Sequence, residues 1–306
     1  MKTPHIRAAH LAAPKQQHNW DWRAASNFIA GGAGGGLLLL TAFSGFATDV
    51  VRTAMLLGMI LIGGGLTCVW LEIGRPLRAL NVYRHAATSW MTREAMVALA
   101  LFLAGGLAVL TAQPLLVMLT GLLGLTFLYS QARILAANKG IPAWRHPRSV
   151  PLMVATGLAE GAGFLACTLA LSSVSPGTVV LVALLALIVI RAFMWKSYLG
   201  GLIADGAPEG ALKVLKGIDT GFVVIGHVVP GFAIVAMLAG MPGHAGLIFP
   251  AGIVVVASGW FLKYRLVRRA AFTQGLALPH LPVRGRDTGG GAAKPGWKVA
   301  SKVSAG

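Results

Sequence analysis

Seven residues could do chemistry inside an otherwise apolar chain: Asn27, Glu72, Tyr129, Arg133, Glu160, Arg191 and His227. An ionisable group in a lipid core is costly, so each is a functional candidate by default. Glu72 ends the second apolar run, where it can take a proton from a ligand at the membrane surface or pair with Arg75 or Arg78. Glu160 lies mid-run among Gly157, Gly161 and Gly163, kept neutral by burial or paired with an arginine. Glu160 and His227 together mark a second intramembrane polar site. His227 has no in-run histidine partner, so the two axial ligands of a b-type haem are missing and a hydrogen-bonded structural histidine is favoured. Arg191 is expected to snorkel from its helix end. Tyr129 and Arg133 stand one turn apart on one helix face.

The elements that must position these groups follow from composition. Of 306 residues, 56% are hydrophobic and 11% charged, and mean hydropathy is +0.73. Soluble domains carry roughly 25% charged residues, so the chain belongs in a membrane. About eight spans of roughly 20 residues are expected, at 27–46, 52–72, 94–112, 114–136, 150–171, 177–199, 219–240 and 245–264. The fold class is therefore an all-α membrane protein with eight transmembrane helices in two four-helix bundles. Residues 1–26 read as a polar arm whose Trp20 and Trp22 suit the headgroup layer, 27–266 as the membrane domain, and 267–306 as a basic, disordered tail. Glycines at 31–32, 34–36 and 63–65 should pack the first two spans closely.

Charge placement gives the orientation. The formal charge of +17 could suggest nucleic acid, but the basic residues sit in loops and tails between spans. With eight alternating spans, 25 of 26 lysines and arginines fall on one side, and only Arg52 on the other. Both termini and the long loops should then face the cytoplasm. No phosphate loop, nucleophile triad or metal cluster is evident, and neither Cys68 nor Cys167 has CxxC spacing. The chain performs no chemistry alone. It offers a membrane pocket fit for a bilayer-resident ligand that exchanges protons.

The connection between the second and third spans is the most distinctive stretch. It holds Glu72-Ile73-Gly74-Arg75-Pro76-Leu77-Arg78-Ala79-Leu80-Asn81, then Arg84 and Ser89-Trp90-Met91-Thr92-Arg93-Glu94. Gly74 and Pro76 stop one helix; Thr92 can cap the next, with Glu94 in its first turn. This loop, 73–93, resembles the signature loop of the dimethyl sulfoxide reductase anchor subunits, among the polysulfide reductase-type (NrfD-like) membrane subunits of molybdopterin oxidoreductases. Arg133 followed by Ile141-Pro142-Ala143-Trp144 is similar to that family's pattern after the fourth span. Asn19-Trp20-Asp21-Trp22-Arg23 resembles a branch described as phenylacetyl-CoA:acceptor oxidoreductases.

The resemblance implies a multi-pass anchor in the bacterial inner membrane. It would bind quinone or quinol among its first four helices, carry no haem, metal or iron–sulfur cluster itself, and hold an iron–sulfur subunit joined to a molybdopterin catalytic subunit. Glu72 stands where the family has a quinol-binding histidine, a departure that leaves a proton acceptor of different pKa. Asn27 and Tyr129 resemble polar quinone ligands, with Arg133 nearby, and Arg75, Arg78, Arg84 and Arg93 would face the partner. The competing readings are a small-solute transporter, which the lack of a repeat between halves disfavours, and a purely structural anchor. A cysteine replacing Arg84, in a chain freed of Cys68 and Cys167, should react with an impermeant maleimide only in inside-out vesicles. Labelling in intact cells would contradict the orientation.

Overall fold

In the computed structural model, residues 9–72, 82, 88–241 and 244–278 are described. Arg75, Arg78 and Arg84, most of the 73–93 loop, residues 1–8 and residues 279–306 lie outside them. The chain opens with a short strand β1 (Ala9–Ala12). The first span joins α1 (Trp22–Ser26), a π-helical turn at Asn27–Gly31 and α2 (Gly32–Ala42). Then come α3 (Thr48–Glu72), α4 (Trp90–Thr111), α5 (Pro114–Ala136), the short α6 (Pro142–Arg145), α7 (Ser149–Leu171) and α8 (Thr178–Ala204). The seventh span joins α9 (Glu209–Val223), a π turn at Val224–Val228 and α10 (Val229–Leu238). Helix α11 (Ile248–Tyr264) continues through a third π turn, Arg265–Arg269, before strand β2 (Leu276–Leu278).

Local chemistry sets these boundaries. Asp21 caps α1 by accepting the Arg23 backbone N–H at 2.7 Å. Proline occupies the first position of α5 and of α6, where its missing donor costs nothing. Among the described residues, seven helical segments are long and apolar enough to cross a membrane. The eighth, α11, has 17 residues, and its π-helical continuation brings the rod to about 30 Å, the thickness of a hydrocarbon core.

The rods form two four-helix rings, as the sequence suggests. Spans one to four close the first ring and spans five to eight the second, and the rings meet along α2 and α7. Gly34 faces the Gly58 carbonyl of α3, Gly35 the Gly124 carbonyl of α5, and Gly36 the Gly157 carbonyl of α7. The glycines of the first span thus serve three neighbours rather than chiefly the second span. Gly64 meets nothing, while Gly65 abuts Asn27.

Several expected boundaries shift. The first helix starts at Trp22, inside the stretch read as an arm, and Trp20 stacks on Trp144 at 4.7 Å. Ser89, not Thr92, caps α4: its Oγ accepts the Thr92 N–H at 3.3 Å. Glu94 therefore falls in the second turn. Past residue 266 the chain stays on the bundle, with Val267, Ala270 and Ala271 fully buried and β2 paired antiparallel to β1. Trp144 Nε1 donates to the Leu266 carbonyl at 3.0 Å, closing the same end. Both terminal segments thus lie together, with Arg23, Arg145 and Arg148, while Arg52 bonds the Leu110 carbonyl at the opposite end.

Gly161 lies against the backbone of Gly36 and Leu37, so a larger side chain there must part the two rings. Gly161→Leu should lower the melting temperature of the full chain sharply, with a cost of about 3 kcal/mol or more, while Gly64→Leu leaves it unchanged. Equal melting of the two variants would refute the seam.

Candidate functional site

The first ring holds a polar cluster at its basic end, built by all four of its spans. The π turn at Asn27–Gly31 carries Asn27, which is 5% exposed, and the Asn27 carbonyl accepts the Gln131 Nε2 proton at 2.9 Å. Such single π turns free backbone groups and recur at functional sites. Asn27 Nδ2 donates to Glu94 Oε1 at 3.4 Å, and Gln131 adjoins the same carboxyl. Gly65 of α3 closes the fourth side; a Cβ there would come within 3.1 Å of Asn27 Oδ1. Asn27 Oδ1 and Gln131 Oε1 are buried with no donor. Glu94, 6% exposed, forms no ion pair among the described residues. Two orphaned acceptors beside a buried carboxyl are costly unless a ligand supplies donors.

An aromatic and cationic rim borders this cluster along the α4–α5 seam. Trp90 and Tyr129 meet edge to face at 5.8 Å. The guanidinium groups of Arg93 and Arg133 lie 4.4 and 4.8 Å from the Trp90 ring centre. Tyr129 is 40% exposed, so the rim opens laterally toward lipid. Asn27 thus belongs to the buried cluster, and Tyr129 and Arg133 to its rim. Glu72 stands two turns beyond Gly65, about 10 Å along α3, half-buried, with Asp21 and Arg23 the charges that act on it among the described residues. Arg23 donates to the Leu71 carbonyl and, through its hydrogen bonds, holds the Asp21 carboxyl below the usual range.

Sequence reasoning missed Glu94 and Gln131. The signal was available: once Ser89 caps the helix, Glu94 is a carboxylate inside a span, and Gln131 is a polar side chain within the expected fourth span, on the face of α5 opposite Tyr129.

The second ring buries a different set. Arg191 does not snorkel; it is fully buried at mid-span. Its Nη1 donates to the Val255 carbonyl at 2.9 Å, its Nη2 to the Gly226 carbonyl at 2.6 Å and to Ser258 Oγ at 3.1 Å, and its Nε to His227 Nε2 at 3.1 Å. The π turn at Val224–Val228 presents that Gly226 carbonyl. His227 Nδ1 faces the Phe222 carbonyl at 2.8 Å, so this nitrogen carries the proton and Nε2 accepts. Glu160 pairs with Lys263 rather than with an arginine, both fully buried. The sequence put Lys263 at the very end of the eighth expected span. Its helix runs on to Arg269, which sets Lys263 inside the bundle.

Nearer the basic end, Asp219 accepts from Trp195 Nε1 and Lys196 Nζ, each at 2.8 Å. Burial pushes the His146 imidazole below its ordinary range, against the opposing pull of Asp205 at 3.4 Å. Among the described residues no three metal-ligating side chains converge, and Cys68 and Cys167 are free thiols. A cavity of about 590 Å³ at the opposite end, lined by Leu171, Thr178, Leu181, Met237 and Phe249, contains no ionisable group.

Eight apolar rods with buried polar clusters and a basic end define a multi-pass membrane protein. Residues 27–239 match the sequence profile of the DMSO reductase anchor subunit family, DmsC. The chain belongs to that family and is a membrane anchor subunit of a DMSO reductase-type complex. A search of curated proteins returned no match.

Lys263→Met leaves the Glu160 carboxyl buried without a cation, which should cost about 3–5 kcal/mol. Adding Glu160→Leu should restore much of the melting temperature. A single variant that melts like the wild type would show that the pair is not closed in the folded chain.

Proposed function

We propose that the basic end of the first ring binds quinone or quinol, and that electrons pass between it and an iron–sulfur subunit docked on the same face. A bound hydroquinone supplies two electrons and two protons. The orphaned oxygens of Asn27 and Gln131 are acceptors placed to take hydroxyl donors, and the Glu94 carboxylate beside them takes the two protons in turn, passing on the first before it accepts the second. The Trp90 and Tyr129 rings offer apolar faces for a flat ring, and Arg133 and Arg93 place positive charge where negative charge develops. Glu72, at the rim beside Arg23, is the station from which the proton leaves.

Arg75, Arg78, Arg84 and Arg93 face the partner, an iron–sulfur protein that connects to a molybdopterin catalytic subunit. Arg93 packs on Trp90, so docking surface and pocket share a wall. The concentration of lysine and arginine at this end supports a cytoplasmic orientation for it in a bacterial inner membrane.

The observation that carries this reading is the pair of donorless buried acceptors beside Glu94. They fit a ligand with hydroxyl groups and a proton to give, and the rim gives it a lateral way in from the bilayer. In the assembled complex, Glu94→Gln should reduce quinol-linked turnover by about a hundredfold while the iron–sulfur subunit still copurifies. Glu72→Gln should lower turnover less and change its pH profile. Unchanged quinol kinetics in Glu94→Gln would leave only an inert anchor.

A further inference from the structure

The structure offers a second site, unrelated to the redox reading and dependent only on the chain lying in a membrane. Where α11 passes into its final π turn, a groove of about 460 Å³ opens against α9 and the terminal strands. Phe261, Tyr264, Arg265, Arg269, Phe272 and Gln16 line it. Its walls divide by chemistry. The Arg265 guanidinium lies 4.8 Å from the centre of the Phe261 ring, and Arg269 follows one turn later. Neither arginine has a carboxylate partner among the described residues. Of the carboxylates of this end, Asp21 pairs with Arg23, Asp219 with Lys196 and Asp205 with His146, and neither Glu72 nor Glu209 forms an ion pair with Arg265 or Arg269. The 279–306 segment holds five basic residues against one aspartate, so its composition does not supply the missing anion.

Depth selects the source of that anion. Counted from Ile248, Phe261 lies about 20 Å along the rod and Arg265 to Arg269 about 26 to 32 Å. The aromatic floor is thus within the acyl region and the two guanidinium groups are at the headgroups of a core about 30 Å thick. Phe261 is 43% exposed on the flank of a membrane helix, so the groove is open to lipid at its apolar end. We propose that this groove binds the phosphate of an anionic phospholipid, with Arg265 and Arg269 on the headgroup and an acyl chain along Phe261. Paired guanidinium groups suit phosphate oxygens, and basic pockets at this depth recognise acidic lipids.

The test is native mass spectrometry of the full chain released from nanodiscs that mix phosphatidylcholine with phosphatidylglycerol. The wild type should retain phosphatidylglycerol selectively, and inorganic phosphate should not displace it. Arg265→Gln with Arg269→Gln should cut retention about tenfold, and the paired lysine variant should recover most of it. Melting in pure phosphatidylcholine should be the same for all three chains, which separates lost binding from lost folding. Equal retention by the glutamine variant, or displacement by inorganic phosphate, overturns the assignment. So does a glutamine variant that keeps the lipid but sheds the iron–sulfur subunit, which would make the groove a protein dock.

Discussion

Close backbone contact between α2 and α7 is the constraint from which the rest of the architecture follows. Apolar helices gain little by associating in lipid, because acyl chains solvate them as well as neighbouring side chains do. Contact must come from van der Waals fit, and glycine permits it by bringing backbones together. Gly36, Gly157 and Gly161 do this between the rings, while Gly34 and Gly35 do it within the first. One helix is therefore shared by both rings. Its π turn carries Asn27, and the two glycines that follow lie against Gln131 on one side and Lys263 on the other. The two polar clusters are separated by little more than that backbone.

The clusters differ in how far they are satisfied, and this assigns them different roles. Arg191 uses all three guanidinium nitrogens, and both nitrogens of His227 are matched. Glu160 has a buried cation, though one of its oxygens lacks a donor. That arrangement locks α7, α8, α10 and α11 together, since any missing member would leave a charge in low dielectric. Among the described residues Glu94 forms no ion pair, and two amide oxygens beside it go without donors. Proteins rarely leave such groups idle when buried. Incomplete satisfaction at one cluster and near-completion at the other support the proposed division into a ligand site and a structural tie.

Much of this organisation was legible in the residues. Span count, ring architecture and the charge asymmetry follow from hydropathy and charge, because a bilayer restricts both severely. Asn27, Tyr129 and Arg133 were singled out because polar residues stand out in apolar helices. What escaped depended on helix phase and length. A cap at Ser89 instead of Thr92 turned Glu94 inward, and a helix running on to Arg269 carried Lys263 into the core. Arg191 looked like a snorkelling residue because sequence cannot show that three facing carbonyl and hydroxyl groups and an imidazole await it. The β1–β2 pairing of the two chain ends joins residues more than 260 apart, beyond any local pattern.

The central claim is that a lipid-soluble redox carrier occupies the first ring and not the second. Photolabelling the assembled complex with an azidoquinone, followed by peptide mapping, tests it most directly. The account predicts competable labelling on α4 and α5, around Trp90, Glu94 and Tyr129. Labelling confined to the Arg191 region or to the cavity by Phe249, or none that quinol suppresses, would contradict it.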